Sequence, residues 1–302
     1  MPAPAISIKR LSKSYGRLTA VKNLELDVRP GEIFGFLGLN GAGKTTTIRI
    51  LLDLLRPDAG AASVLGHDCQ SQGLHVRAQV GYLPGEMGTY GDMTGRDVLD
   101  LFGRLQTRPV SMKHRQELQE RLELPESDLR RKLREYSTGM KRKLYLIQAF
   151  QGNPPLLILD EPTEGLDPLM QESLYALLFE ARRNGSTVFM SSHVLSEVER
   201  ICDRIGLIRK GTLALLSSVA DLHRLAQRSV CVTFRSDVSS RPEGVPGECE
   251  ILETGPRRWR LKVRGSIGPL IQSLAGLPVL DVDVAEARLE EVLMRYFRAE
   301  GP

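Results

Sequence analysis

The stretch Gly38-Leu39-Asn40-Gly41-Ala42-Gly43-Lys44-Thr45-Thr46 decides how the rest of the chain is read. It satisfies the pattern G-x-x-x-x-G-K-[ST], in which the glycines allow positive φ so that successive backbone N–H groups converge on an anion. The apolar run Ile33–Leu37 before it predicts a buried strand, and Thr46–Leu55 after it predicts a helix. An anion held here would lie at a helix N-terminus, where the macrodipole and unpaired amides favour negative charge. Lys44 supplies a point charge suited to β- and γ-phosphates, and Thr45 offers a hydroxyl to Mg²⁺.

A metal partner is present further along. Leu156-Leu157-Ile158-Leu159-Asp160-Glu161 is an apolar run ending in two carboxylates. Apolar on both faces, it reads as a central strand of a parallel sheet. Ligands of open α/β sheets bind at the carboxyl ends of the strands, so Asp160 is placed to hold Mg²⁺ directly or through water. Glu161 points elsewhere and is suited to polarise an attacking water as a general base.

With these two motifs in place, the chain resembles the nucleotide-binding subunits of ATP-binding cassette (ABC) transporters over residues from about 6 to 218. The resemblance rests on further motifs in the family's order. Tyr15, in Lys13-Ser14-Tyr15-Gly16, matches the aromatic that stacks on adenine. Ser137-Thr138-Gly139-Met140 matches the family signature, Glu164-Gly165-Leu166-Asp167-Pro168 the loop carrying Asp167, and Ser191-Ser192-His193 the switch histidine His193. It implies that Gly38, Asn40, Gly41, Gly43, Lys44, Thr45 and Thr46 contact ATP. It implies catalytic roles for Glu161, His193 and Lys44, and Mg²⁺ held by Thr45 and Asp160. Ser137, Gly139 and Asp167 would act across an ATP-closed head-to-tail dimer. The implied fold is an α/β P-loop NTPase of the RecA-like type, with antiparallel β and helical subdomains.

Two departures stand out. The family has Leu-Ser-Gly-Gly-Gln at the signature, whereas this chain has Tyr136-Ser137-Thr138-Gly139-Met140. Serine before a helix is a usual cap; here Ser137 and the Gly139 amide are instead expected to present donors to an anion. Basic Lys141-Arg142-Lys143 reads as a solvated face rather than a nucleic-acid site. The family also places a glutamine after a strand such as Val80–Pro84, where this chain has Gly85 followed by Glu86. Either Glu86 substitutes, or the loop moves freely.

The chain has 302 residues, 41% of them hydrophobic, and a net charge of +4, which suits work near anionic lipid without requiring it. No apolar run approaches the length of a bilayer span, and residues 1–10 lack the apolar core of a signal peptide. Cys69, Cys202, Cys231 and Cys249 show no metal-ligand spacing, so reduced thiols are expected.

Ile6–Leu11 and Leu24–Val28 alternate like antiparallel strands, Ser186–Ser191 reads as a buried strand, and Val194–Cys202 as a helix. Ile205–Ile208 and Gly211–Leu215 read as a hairpin. Thr94-Gly95-Arg96-Asp97 reads as a capping box, with further helix over Lys113–Leu124, so residues 89–150 are expected to be the helical subdomain. The ATPase domain is expected to span 1–218, followed over 219–302 by a small C-terminal α+β domain. In it, Ser229–Phe234 and Val279–Val284 read as strands, Ser239–Gly247 as a loop, Ile267–Leu274 and Leu289–Phe297 as helices. Arg257–Val263, with Trp259, reads as a solvated edge strand in preference to an RNA-stacking surface. The resemblance implies the ATPase subunit of an exporter, working beneath a separate integral membrane permease at the cytoplasmic face. An importer subunit is the nearer alternative, a nucleic-acid- or translation-linked ATPase the more distant, and no nucleic-acid partner is expected.

Overall fold

Chain order in the computed structural model begins with two long strands, β1 (Ile6–Tyr15) and β2 (Leu18–Val28), paired antiparallel. Residues 3–88, 90–225, 227–238 and 249–285 are described, with the single positions Leu289 and Leu293. Both strands outrun the expected segments, because left-handed Arg10 and Asn23 shift the register and interrupt the two-residue alternation. β3 (Ile33–Leu37) leads into α1 (Lys44–Leu51). This helix starts earlier than expected, with Gly43 as its N-cap, and stops earlier because Asp53 turns left-handed at φ 53°. β4 (Ala59–Val64), β5 (His67–Asp68), α2 (Gly73–Gln79) and β6 (Val80–Leu83) follow.

The next stretch carries four helices: α3 (Gly95–Arg104), α4 (Met112–Arg121), α5 (Glu126–Leu129) and α6 (Thr138–Phe150). Thr94 caps α3 in a full capping box with Asp97, and Ser111 caps α4. Strands and helices then alternate through β7 (Leu156–Asp160), α7 (Pro168–Arg183), β8 (Thr187–Ser192), α8 (Leu195–Ile201), β9 (Arg204–Arg209) and β10 (Thr212–Ser218).

One sheet has the order β10-β9-β3-β8-β7-β6, with β9, β3, β8, β7 and β6 parallel. Every residue of β3, β7 and β8 is buried, as expected of strands covered on both faces. Their register sets Leu37 opposite Ser192 and Asp160 opposite Ser191, so the three carboxyl ends meet at one edge. The second sheet, β2-β1-β4-β5, shares its core with the first: Ile8, Leu24 and Leu26 cluster with Phe34, Phe36, Ile48 and Phe189. Each such side chain contributes about 1.5–3 kcal/mol by burial.

The chain divides into two compact units, Met1–Leu216 and Ser217–Pro302. The second holds α9 (Val219–Leu225), β11 (Gln227–Phe234), β12 (Cys249–Thr254), β13 (Arg258–Arg264), α10 (Gly268–Leu274) and β14 (Val279–Ala285). Its antiparallel sheet has the order β12-β13-β11-β14, which corrects the reading of the Trp259 segment as a solvated edge. β13 is internal, and Trp259 is buried edge-on against Phe234 with Leu261, Val263, Leu270 and Leu274. The basic residues alternate with these apolar ones, so charge on one face masked a core strand. The expected loop Ser239–Gly247 and most of the expected helix Leu289–Phe297 lie outside the described residues, although Leu289 and Leu293 are buried. All four cysteines are free thiols. Among the described residues no helix is long and apolar enough to cross a membrane.

Candidate nucleotide site

The loop between β3 and α1 has the shape its glycines permit. Gly43 sits at φ 110°, and a Cβ there would lie 2.4 Å from the backbone oxygen of Ala20. Only glycine fits, which lets the amides at the start of α1 face outward together. Lys44 is buried and folds back over the loop, donating to Gly38 O at 2.5 Å and Leu39 O at 3.4 Å.

Across the sheet edge, Thr45 Oγ1 donates to Asp160 Oδ2 at 2.9 Å, while Ser191 Oγ donates to Asp160 Oδ1. Asp160 is buried, and the Tyr82 hydroxyl is pushed up to about 12 chiefly by its own burial, with the Asp160 charge adding to the shift. Hydroxyl and carboxylate oxygens are the hard donors that Mg²⁺ prefers, so this pair fits that ion.

Glu161 is held through both its backbone and its side chain. Its backbone is left-handed at φ 51°, a conformation that costs a non-glycine residue on the order of 1–2 kcal/mol. Its N–H donates to Ser191 Oγ at 3.0 Å. One carboxylate oxygen lies 3.1 Å from Lys44 Nζ, and the other 2.8 Å from His193 Nδ1. Lys44, Thr45, Asp160, Glu161 and His193 thus form one linked constellation. Ser191, which sequence reasoning passed over as part of the histidine motif, ties Asp160 to Glu161.

Gly38 joins this constellation through its carbonyl, which accepts from Lys44, while Tyr15, Ser137 and Asp167 make no hydrogen bond to it among the described residues. Tyr15 ends β1 and is half exposed, Asn40 and Gly41 are exposed, and Thr46 is half-buried. Asp167 caps α7, accepting the Met170 N–H at 3.0 Å, with Pro168 in the first turn. Ser137 caps α6, its oxygen accepting the Met140 N–H at 3.2 Å.

Arg142 corrects an expectation. The run Lys141–Lys143 is not a uniformly solvated face, because Arg142 is 2% exposed. Burial lowers its pKa against the raising effect of Glu164, Asp160 and Glu161, and an arginine stays charged regardless. Its only sequence signal was the helical period, which turns Arg142 to the side of α6 that buries Leu146 and Ala149. Near it, Gly85 lies against Asp160: a Cβ there would be 3.1 Å from Oδ2. The Glu86 side chain is 94% exposed and 3.9 Å from Arg49, away from the Thr45–Asp160 pair.

Comparison with known proteins agrees with this geometry. The ABC transporter family model matches residues 21–164. The Nod factor export ATP-binding protein I of Paraburkholderia xenovorans is 33% identical over 300 residues, covering 96% of this chain and 91% of that protein. A solved ATP-binding subunit of an ABC transporter aligns with a TM-score of 0.67 and 30% identity, over 73% of this chain and 92% of that one. A dimeric ATP-binding cassette in a post-hydrolysis state, bound to ADP and phosphate, shares the fold with a TM-score of 0.65 at 22% identity, over 71% of this chain and 98% of that one. With phosphate loop, paired carboxylates and His193 gathered on one sheet edge, this chain belongs to the ABC transporter family, as an ATP-binding and ATP-hydrolysing subunit.

Proposed function

We propose that the chain drives an ABC exporter, hydrolysing ATP with Glu161 as general base. The observation that carries the reading is the Glu161 carboxylate, fixed between Lys44 Nζ at 3.1 Å and His193 Nδ1 at 2.8 Å beside the Thr45–Asp160 pair. Lys44 exchanges its contacts with Glu161 and the loop carbonyls for the β- and γ-phosphates. Glu161, released on that side, accepts a proton from the attacking water, and His193 orients the carboxylate and reaches the γ-phosphate. Thr45 and Asp160 hold Mg²⁺, which when bound neutralises charge developing on the phosphates. Tyr15 stacks on adenine, and Gly38, Asn40, Gly41, Gly43 and Thr46 line the phosphates.

Ser137, Gly139 and Asp167 serve the site of a second copy in a head-to-tail dimer; the dimeric state named for the cassette of the same fold supports that arrangement. The export direction is supported by the name of the relative that matches over nearly its whole length. In this reading residues 1–218 are the catalytic cassette, 219–302 an accessory domain, and the partner a separately encoded permease at the cytoplasmic face of the membrane.

Glu161→Gln tests the chemistry. Turnover should fall by roughly 10²–10⁴, the usual contribution of a positioned base, with ATP binding retained and a dimer accumulating in size-exclusion chromatography. Turnover within a few-fold of the parent would remove Glu161 from the role. Affinity capture from detergent-solubilised membranes tests the partner: an export permease should co-purify, and an import permease would reverse the direction.

A further inference from the structure

Arg142 lies in the first turns of α6, and its guanidinium donates to three backbone carbonyls from two different loops. Nη1 reaches Pro84 O at 3.1 Å, Nη2 reaches Glu161 O at 2.8 Å, and Nε reaches Glu164 O at 2.9 Å. The side chain is 2% exposed, so each bond forms away from competing water. A guanidinium is planar with its donors in a fixed fork, so three carbonyls at these angles fix its plane and, in return, their own positions. One of them belongs to the left-handed Glu161. That residue is therefore held on both sides: its N–H by Ser191 Oγ and its carbonyl by Arg142. Another belongs to Pro84, directly before Gly85, which has no side chain to hold the turn itself.

We propose that Arg142 is a positioning residue for hydrolysis, locking the Glu161 backbone so that its carboxylate stays between Lys44 and His193, and tying the Pro84–Gly85 turn to that same backbone. The proposal rests on the reading of Glu161 as general base. It gives the helix bearing the signature a direct mechanical link to the base within one subunit. A shift of the Pro84 turn or of α6 moves the carbonyl of Glu161 before it moves any phosphate contact.

The test is a double-mutant cycle on the full chain, with Arg142→Gln and Arg142→Lys made alone and in the Glu161→Gln background. ATP affinity, melting temperature, kcat and KM are measured for each. Arg142→Gln should lower kcat on the order of 10- to 100-fold at unchanged ATP affinity, as expected for a misplaced catalytic group. Arg142→Lys, which keeps the charge and loses the fork, should recover part of that loss. If Arg142→Gln does not fold, Arg142→Lys with a near-parental melting temperature carries the comparison. In the Glu161→Gln background either substitution should add little, because the carboxylate it positions is gone. An equal proportional loss in both backgrounds, a loss confined to KM, or an unchanged kcat would overturn the proposal. Parental turnover in Glu161→Gln alone would overturn the base assignment and this proposal together, and is read before any Arg142 variant is made.

Discussion

The loop after β3 and the turn after β6 leave the same edge of the same sheet, yet they are supported in opposite ways. The first is supported largely from within, although Gly38 N also donates to Ser192 O and Ala42 O accepts from Gly211 N. Lys44 bonds back to Gly38 O and Leu39 O, Ala42 N donates to Leu39 O, and Thr47 Oγ1 donates to Gly43 O. The second is held from elsewhere, by an arginine 58 residues further on that reaches Pro84 O from a helix. A self-supported loop concentrates its instructions in consecutive residues and tolerates change badly at any of them. A tethered turn scatters its instructions, and a local change there is felt through whatever the tether also holds.

Three substitutions put that contrast under strain. Gly43→Ala should have the largest effect. It sets a methyl 2.4 Å from Ala20 O at a φ of 110°, and held backbone strain of this kind costs on the order of 3 kcal/mol. Nucleotide titration should show binding lost, and denaturant unfolding should show a lower midpoint. Retained binding would mean the loop can rebuild itself, and the contrast would collapse. Gly85→Ala should act on turnover rather than binding. Its methyl meets Asp160 Oδ2 at 3.1 Å with no positive φ to violate. A carboxylate pushed by a few tenths of an ångström should lose about 1–2 kcal/mol of transition-state stabilisation, roughly tenfold in kcat. An increase in rate would show that the added side chain supplies something the turn lacks. Ser137→Ala is the mildest. Losing the cap of α6 should cost about 1 kcal/mol, lowering the melting temperature by about 2–4 °C without nucleotide present. No change would leave the hydroxyl to its proposed role across the dimer alone.

The same distinction explains what could be read from the residues. The phosphate loop, β3, β7 and the Thr94 capping box were legible because adjacent residues supply both the pattern and the contacts. The long first hairpin was only half legible, since Arg10 and Asn23 twist out of the alternating period. α7 was passed over although Asp167-Pro168 spells an N-cap followed by proline at the first helical position. The site's carboxylates were legible at the end of an apolar run, but their supports were not. Ser191 and Arg142 act through contacts 30 and 19 residues from Glu161, and an arginine between two lysines gives no sign of burial. Trp259 failed for a related reason: its strand alternates charge with apolar groups, and the pattern fits an edge strand as well as an internal one with a solvated face.

With Glu161 as the general base proposed above, its left-handed backbone sets stability and activity against each other at one position. At φ 51° glycine would relieve the torsional penalty, and asparagine would ease it. Selection for a sturdier fold alone would therefore drift away from glutamate here, while every glycine gained would delete the carboxylate. A glutamate kept at this turn marks a place where the chain gives up rigidity for chemistry.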